Sequence, residues 1–343
     1  IRRPVHTLSA PNQAMLQVSA HLGGIPLMIA LDEPTAALGD AEVTRLFAIL
    51  RDLKEKKVCV LYVSHHLSEV LSIADRVTVL RNGKVVWTKQ ISDLDEERLI
   101  RGMVGHVKVT GERRGSRDRR GAPLLQVKNL NLLNDCEVSF ELHRGEVLGI
   151  CGGVGSGRTQ LVNDLVGLGE GSGKIVFRGS NLKVRSPHDL WSSNIAYVPG
   201  ERRSQGIFPG RSVRENLLMA SLYKVASRKC IDHRSEQGLA TELMQRFGIV
   251  APSSESNIEE LSGGNQQKVL LARALSCNSS VLIAEEPTRG VDVASRAQVH
   301  EQLRQVARSE NGIIVSSSDL TELMHLCDRI LVLKDGSPPQ IVA

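Results

Sequence analysis

The sequence predicts an α/β fold with a mostly parallel central sheet, built twice in one chain. Two observations carry this. The first is an internal repeat that holds one register without a gap. Leu8-Ser9 and Leu261-Ser262 stand 253 positions apart. Asn12-Gln13 and Asn265-Gln266, Glu33-Pro34-Thr35 and Glu286-Pro287-Thr288, Asp75-Arg76 and Asp328-Arg329, and Gly83 and Gly336 keep the same offset. The second is that short apolar runs alternate with helix-like segments in each copy, the pattern of strands joined by crossover helices.

The elements follow in order. After the Leu-Ser pair each copy predicts a helix. In the first copy a strand comes next at Leu27–Leu31, then a helix over Ala41–Lys54, a strand at Val58–Val63, a short helix and a strand at Arg76–Leu80. In the second copy the same series falls at Val281–Ala284, Ala294–Ala307, Gly312–Val315 and Arg329–Leu333. Only the second copy has a front half. There, residues 123–150 form short strand-like runs ending in Glu146-Val147-Leu148-Gly149-Ile150, and a helix is expected over Gln160–Val166. The expected domains are therefore 1–103, the rear part of a first copy, and 123–343, a whole second copy. Residues 104–122 join them. Within that join, Gly111–Gly121 reads GERRGSRDRRG, with no apolar residue, and is expected to be a solvated flexible linker rather than a phosphate- or lipid-binding patch. The chain starts at Ile1 and runs almost at once into helix-like sequence, so the expectation is a first copy cut short at its start.

Composition narrows the function classes. Of 343 residues, 41% are apolar and 24% charged, as in an ordinary globular protein. A net charge of +5, much of it in the linker, gives no argument for nucleic acid. The six cysteines form no CxxC pair, and several lie in apolar runs such as Val58-Cys59-Val60-Leu61. They are expected to be buried free thiols, not a disulfide framework or a metal site. No apolar run reaches the roughly 18 residues that span a bilayer, and the start has no secretory pattern.

Five clusters carry chemistry. Gly152-Gly153-Val154-Gly155-Ser156-Gly157-Arg158-Thr159 follows an apolar strand and opens a helix at Gln160. Glycines let backbone N–H groups wrap a phosphate chain, and the helix N-terminus adds partial positive charge. The Thr159 hydroxyl can ligate Mg²⁺. Arg158 stands where such loops usually have Lys; it keeps the charge but is bulkier and planar. Ser262-Gly263-Gly264-Asn265-Gln266 reads as a capped helix start whose N–H groups can also face an anion. Paired acids end one strand of each copy, Asp32-Glu33 and Glu285-Glu286. The first of a pair can direct Mg²⁺ and the second can polarise water. Glu285 replaces the Asp of the first copy and is one methylene longer. Ser64-His65-His66 ends the next strand, and the repeat sets Ser318 opposite His65. Finally, Tyr197-Val198-Pro199-Gly200-Glu201-Arg202-Arg203 ends a strand shortly before Ser212–Leu217.

Together these motifs resemble the twin-cassette ATPases of ribose-, galactose- and xylose-type ABC importers, over nearly the whole chain except the linker. The resemblance implies P-loop NTPase cassettes with a mostly parallel core sheet, an antiparallel β-subdomain and a helical subdomain starting near Ser212. It implies ATP and Mg²⁺ as cofactors. It assigns Gly152, Gly153, Gly155, Ser156, Gly157, Arg158, Thr159 and Gln160 to the phosphate loop. Ser262, Gly263, Gly264, Asn265 and Gln266 form the signature that meets ATP held by the opposite cassette. Asp32, Glu285 and Thr159 become metal-directed, Glu33 and Glu286 catalytic, and His65 the switch that senses the γ-phosphate. Gly200 falls at the Q-loop position, with Glu201 as a substitute one residue on. The implied partners are membrane permease subunits and, indirectly, an extracytoplasmic sugar-binding protein, with no nucleic acid and no membrane span of its own. The implied location is the cytoplasmic side of the inner membrane.

The chain departs from that pattern in ways that separate two sites. One would use Asp32, Glu33 and His65 with the intact Ser262 turn, but its phosphate loop is not in the sequence. The other uses Gly152–Thr159, Glu285, Glu286 and Ser318 with Leu8-Ser9-Ala10-Pro11, where Ala10 and Pro11 replace glycines and Pro11 removes an N–H donor. This second site is expected to bind nucleotide and turn it over poorly. Two other readings stay open: a truncated remnant that does not hydrolyse ATP, and a soluble twin-cassette translation factor. Ala10-Pro11 and the short, glycine-broken linker count against the translation factor.

Overall fold

The computed structural model describes residues 26–35, 38, 40–64, 67–81, 84–95, 98–99, 102, 122–132, 136–153, 155–227, 230–334 and 337–342, with isolated positions at 4, 13 and 16. The chain divides into two compact units, Ile1–Lys108 and Val109–Ala343.

The second unit begins with strands β5 (Leu125–Leu132) and β6 (Cys136–Leu142), then β7 (Val147–Gly152) and helix α3 (Arg158–Val166). Strands β8 (Lys174–Phe177) and β9 (Ser180–Leu182) join β5 and β6 in a four-stranded antiparallel sheet, in the order β6-β5-β8-β9. Helix α4 (Pro187–Ser192) leads into β10 (Ile195–Val198). Helices α5 (Val213–Leu218), α6 (His233–Arg246) and α7 (Gly263–Leu275) then pack together. A short hairpin, β11 (Ala226–Ser227) and β12 (Cys230–Ile231), lies between α5 and α6. After α7 come β13 (Val281–Glu285), α8 (Val293–Arg308), β14 (Gly312–Ser316), α9 (Leu320–Leu326), β15 (Arg329–Lys334) and β16 (Ser337–Val342). The main sheet runs β10-β13-β14-β7-β15-β16. All its pairings are parallel except β15 with β16.

Why the central strands are apolar at nearly every position is visible in the packing. Val281 and Ile283 of β13, Ile314 of β14, and Leu148 and Ile150 of β7 face one core, shared with α3 and the antiparallel sheet. Leu282, Ala284, Ile313, Val315 and Val147 face the other, under α5, α6, α7 and α8. Side chains alternate between faces along a strand, so a sheet covered on both sides needs apolar residues at both parities.

The first unit repeats the rear half of this design. Strands β1 (Met28–Asp32) and β2 (Cys59–Val63) pair in parallel, bracketing helix α1 (Asp40–Glu55). Helix α2 (Leu67–Ile73) precedes β3 (Arg76–Arg81) and β4 (Lys84–Gln90), which pair antiparallel. At the 253-residue offset these correspond to β13, β14, β15 and β16. In the second unit β7 stands between β14 and β15. Among the described residues of the first unit no strand takes that place, and β1-β2 and β3-β4 are separate two-stranded sheets.

The consequence is read directly from exposure. Leu61 is 50% exposed where its counterpart Ile314 is 0%, and Leu80 is 64% exposed where Leu333 is 3%. This overturns one expectation. Cys59, expected to be a buried thiol, is exposed on β2, while Cys277 is buried and Cys136, Cys151 and Cys327 are partly so. Cys59 has the apolar neighbours of a central strand without the layer that buries one. The helix expected after Leu8-Ser9, together with Ala10, Pro11 and Asn12, lies outside the described residues.

Candidate nucleotide site

The phosphate loop forms as its sequence requires. Strand β7 ends at Gly152 and α3 opens at Arg158. Gly155 and Gly157 both have φ +86°, a left-handed conformation that disfavours any Cβ. A side chain at Gly152 would collide with Ser156. The Ser156 hydroxyl donates to the Gly153 carbonyl at 2.7 Å and locks the turn. Gly157 caps α3 without a side-chain hydrogen bond, so the helix start is not blocked by its own cap. The helix dipole adds partial positive charge there. Thr159, in the first turn, is exposed, and Gln160 is partly buried.

Arg158 reaches the ends of β13 and β14. Its guanidinium pairs with Glu286 at 2.8 Å and donates to the Ser316 hydroxyl at 3.1 Å. Both partners of this ion pair are largely enclosed, with side chains 13% and 12% exposed.

The acidic pairs lie at equivalent strand ends. Glu33 has φ +46° and Glu286 φ +44°, unusual for residues with a side chain. Each is held by a backbone bond to the neighbouring strand: Glu33 N–H to the Val63 carbonyl at 2.9 Å, and Glu286 N–H to the Ser316 carbonyl at 2.7 Å. The same kink in both units aims the second acid of each pair off the sheet edge, and strain of this kind is concentrated at functional sites. Asp32 is exposed at the end of β1. Glu285 instead accepts a hydrogen bond from the Tyr197 hydroxyl at 2.9 Å. Burial, then the charge of Glu285, pushes the Tyr197 phenol well above its ordinary range.

Glu286 is heavily engaged. Besides Arg158 it accepts from the Ser318 N–H at 2.9 Å and from the hydroxyls of Ser318 at 3.3 Å and Ser317 at 3.5 Å. Both of its oxygens are thus occupied by neighbouring groups of the same unit. His65, expected as the switch of the first unit, lies outside the described residues.

The signature turn is built as expected at its start. Ser262 is exposed and caps α7, accepting from Asn265. Gly263 and Gly264 are also demanded by packing. A Cβ on Gly263 would come 2.7 Å from the Gly290 carbonyl, and one on Gly264 would strike Ser295. The Gln266 side chain is buried and points inward, donating to the Ile258 carbonyl at 3.0 Å and accepting from Arg202 Nε at 3.1 Å. The Asn265 amide is likewise engaged, accepting from the Val250 N–H at 2.9 Å.

Between β10 and α5 the register resolves. Gly200 abuts the acidic pair, since a Cβ there would lie 3.1 Å from Glu285 Cγ. Glu201 is exposed and pairs with Arg289 at 2.7 Å, away from that pair. The next residues, Arg202–Gly206, form a π-type turn.

One constellation escaped the sequence reading. In the second unit the buried Glu322 accepts from Thr288 at 2.6 Å, from Ser317 at 2.6 Å and pairs with His300 at 2.9 Å. In the first unit Glu69 accepts from Thr35 at 2.9 Å, Tyr62 at 2.6 Å and Ser64 at 3.4 Å. Glu69 and Glu322, Thr35 and Thr288, and Ser64 and Ser317 are repeat equivalents, so the repeat itself was the available signal. The carboxylate ties the loop after the acidic pair to the loop of position 65 or 318. Glu322→Ala should destabilise the second unit by about 2–4 kcal/mol, because it strands the polar groups of Thr288, Ser317 and His300 that now bond to it. Urea unfolding of the two proteins measures it, and a change within experimental scatter would contradict the tie.

A strand, a glycine loop, a helix and a kinked acidic pair on the next strand but one define a nucleotide-binding cassette. The comparisons agree. The ABC transporter family matches residues 136–289. The ribose import ATP-binding protein RbsA 2 of Burkholderia ambifaria is 39% identical over 337 residues, covering 97% of this chain and 67% of the relative. That of Rhizobium meliloti is 36% identical over 339 residues, covering 98% and 66%. A nucleotide-free ATP-binding cassette from an ABC transporter superposes with TM-score 0.54 at 21% identity, over 65% of this chain and 90% of that one. A dimeric post-hydrolysis cassette bound to ADP and Pi gives TM-score 0.54 at 20% identity, over 64% and 97%. The chain belongs to the ATP-binding subunits of ABC transporters. It spans about two thirds of the length of the curated relatives it matches.

Proposed function

We propose that this chain is the ATP-binding and ATP-hydrolysing subunit that energises import of a monosaccharide through a separate membrane permease. The single observation that carries the reading is the phosphate loop at Gly152–Thr159, with Glu286, the second acid of its pair, brought against Arg158. The ribose-import names of the relatives support the transported class. Mg²⁺ would be held by Thr159 and Glu285 in one site and by Asp32 in the other; Thr159 and Asp32 are both exposed. When bound it would neutralise phosphate charge.

The chain is read as two cassettes of unequal competence. Glu33 orients the attacking water in the working site. Glu286 belongs to a site that holds nucleotide and turns it over slowly. The engagement of Glu286 by Arg158 also favours a second reading, a remnant that binds ATP without hydrolysis.

No helix among the described residues is long and apolar enough to cross a membrane. By likeness to import ATP-binding proteins, the reading makes the chain a peripheral subunit at the cytoplasmic face of the inner membrane. There it would dock on permease subunits fed by an extracytoplasmic sugar-binding protein. Fractionating cells that express the chain with and without the cognate permease tests this. The expected result is permease-dependent recovery with membranes; equal recovery in the soluble fraction would contradict it.

A further inference from the structure

Glu69 and Glu322 are repeat equivalents, and two of their three partners are equivalent too, Thr35 with Thr288 and Ser64 with Ser317. The third partner breaks the repeat. In the first unit it is Tyr62 on β2, whose hydroxyl donates to Glu69 at 2.6 Å. In the second unit it is His300 on α8, whose Nε2 meets Glu322 at 2.9 Å. At the repeat offset Tyr62 falls opposite Val315, which is buried in the core. His300 falls opposite Phe47, which packs edge-on against Tyr62 with ring centroids 6.3 Å apart. Each unit thus has one polar and one apolar side chain at this pair of positions, in opposite order. In each unit the polar one reaches the equivalent carboxylate.

The swap changes how the carboxylate is shared. Thr35, Tyr62 and Ser64 converge on Oε2 of Glu69, at 2.9, 2.6 and 3.4 Å. In the second unit Thr288 and His300 meet Oε1 of Glu322, at 2.6 and 2.9 Å, and Ser317 meets Oε2 at 2.6 Å. A partner on the helix takes the oxygen that the serine does not use, and the serine bond is shorter. Ser317 is followed by Ser318, whose N–H holds Glu286, the partner of Arg158.

We infer that the strand position (62 or 315) and the helix position (47 or 300) are alternative sources of one donor. Tyr62 and His300 are then the positioning residues that fix the loops after β2 and β14 through the carboxylate. This half stands on the geometry and the repeat. A second half, that the loop after β14 thereby sets Arg158 for a nucleotide, rests on the proposed function.

Amide hydrogen exchange of the 343-residue chain tests the first half, read on peptides from β2 and α2. The proteins are the parent, Tyr62→Val, Phe47→His and Tyr62→Val/Phe47→His, which carries the pair found in the second unit. Tyr62→Val should speed exchange about 10- to 100-fold, the loss of a hydrogen bond to a charged group. Tyr62→Phe, which keeps the ring, should give most of that effect. Phe47→His should slow exchange in the Tyr62→Val background and speed it in the parent. The same sign in both backgrounds would overturn the swap. In the second unit His300→Phe should speed exchange of β14 and α9, and His300→Gln, which keeps a donor, should retain most of the protection. Equal effects of the two would overturn the positioning role there. The nucleotide half is read by displacement of a fluorescent ATP analogue. With its loop loosened, Glu286 loses the Ser318 donor and draws harder on Arg158. ATP affinity should therefore fall about three- to tenfold in His300→Phe and stay near that of the parent in His300→Gln. Faster exchange with unchanged affinity would keep the swap and overturn the link to nucleotide. A parent that binds no ATP would overturn the reading of the site, while the exchange rates still decide the swap.

Discussion

In a polypeptide that places a complete phosphate-loop half ahead of this chain, Glu33→Gln is expected to lower steady-state ATP hydrolysis about 10²- to 10⁴-fold, the usual loss for one positioned base. The substitution keeps the shape of the side chain, so ATP binding should persist. The loop of Glu33 is tethered as that of Glu286 is. Its backbone is kinked to φ +46° and bonded to Val63. The following Thr35 is tied through Glu69 to Ser64, next to the expected switch at His65. Glu286→Gln should cost far less, because Arg158 and Ser318 already engage that carboxylate. ATP hydrolysis and sugar uptake, measured for both variants side by side, decide this. Equal losses would mean that both sites turn over, and a larger loss from Glu286→Gln would reverse the assignment.

The second large effect concerns Arg158. Arg158→Ala removes the cation of the phosphate loop and leaves Glu286 enclosed without it. Breaking a buried pair by deleting one partner costs about 3–5 kcal/mol. Here roughly 2–3 kcal/mol is expected, because Ser317 and Ser318 still serve the carboxylate. ATP affinity should fall about 10- to 100-fold, the equivalent of losing one or two charge-assisted hydrogen bonds. Arg158→Ala/Glu286→Gln should recover most of the stability and none of the affinity, since the second change removes the stranded charge but restores no phosphate ligand. Denaturant unfolding and nucleotide titration of the three proteins separate the effects. Full recovery of affinity in the double variant would show that Arg158 acts only on Glu286.

Much of this architecture was legible in the sequence, for a physical reason. Strands buried on both faces must be apolar throughout, so β13 and β14 stood out, and with them β1 and β2 at the repeat offset. The phosphate loop was legible because Gly155 and Gly157 occupy backbone conformations that select glycine. What stayed hidden depends on neighbours far away in the chain. Gln266 looked like part of a nucleotide turn, yet its partners are Ile258 and Arg202. Gly200 was placed from its sequence neighbours, and its close approach to Glu285 comes from the adjacent strand. Cys59 looked buried because its neighbours are apolar, but a strand's burial depends on the layers around it. The carboxylates Glu69 and Glu322 carry no local motif; their partners are gathered from separate loops.

The central claim is that the second unit holds ATP while its own acid is kept from acting. Single-turnover hydrolysis of bound ATP by the purified 343-residue chain, beside a direct binding titration, tests it most directly. The account predicts measurable binding that weakens in Arg158→Ala, with hydrolysis close to background and indifferent to Glu286→Gln. Robust Mg²⁺-dependent turnover by this chain, abolished by Glu286→Gln, would contradict it.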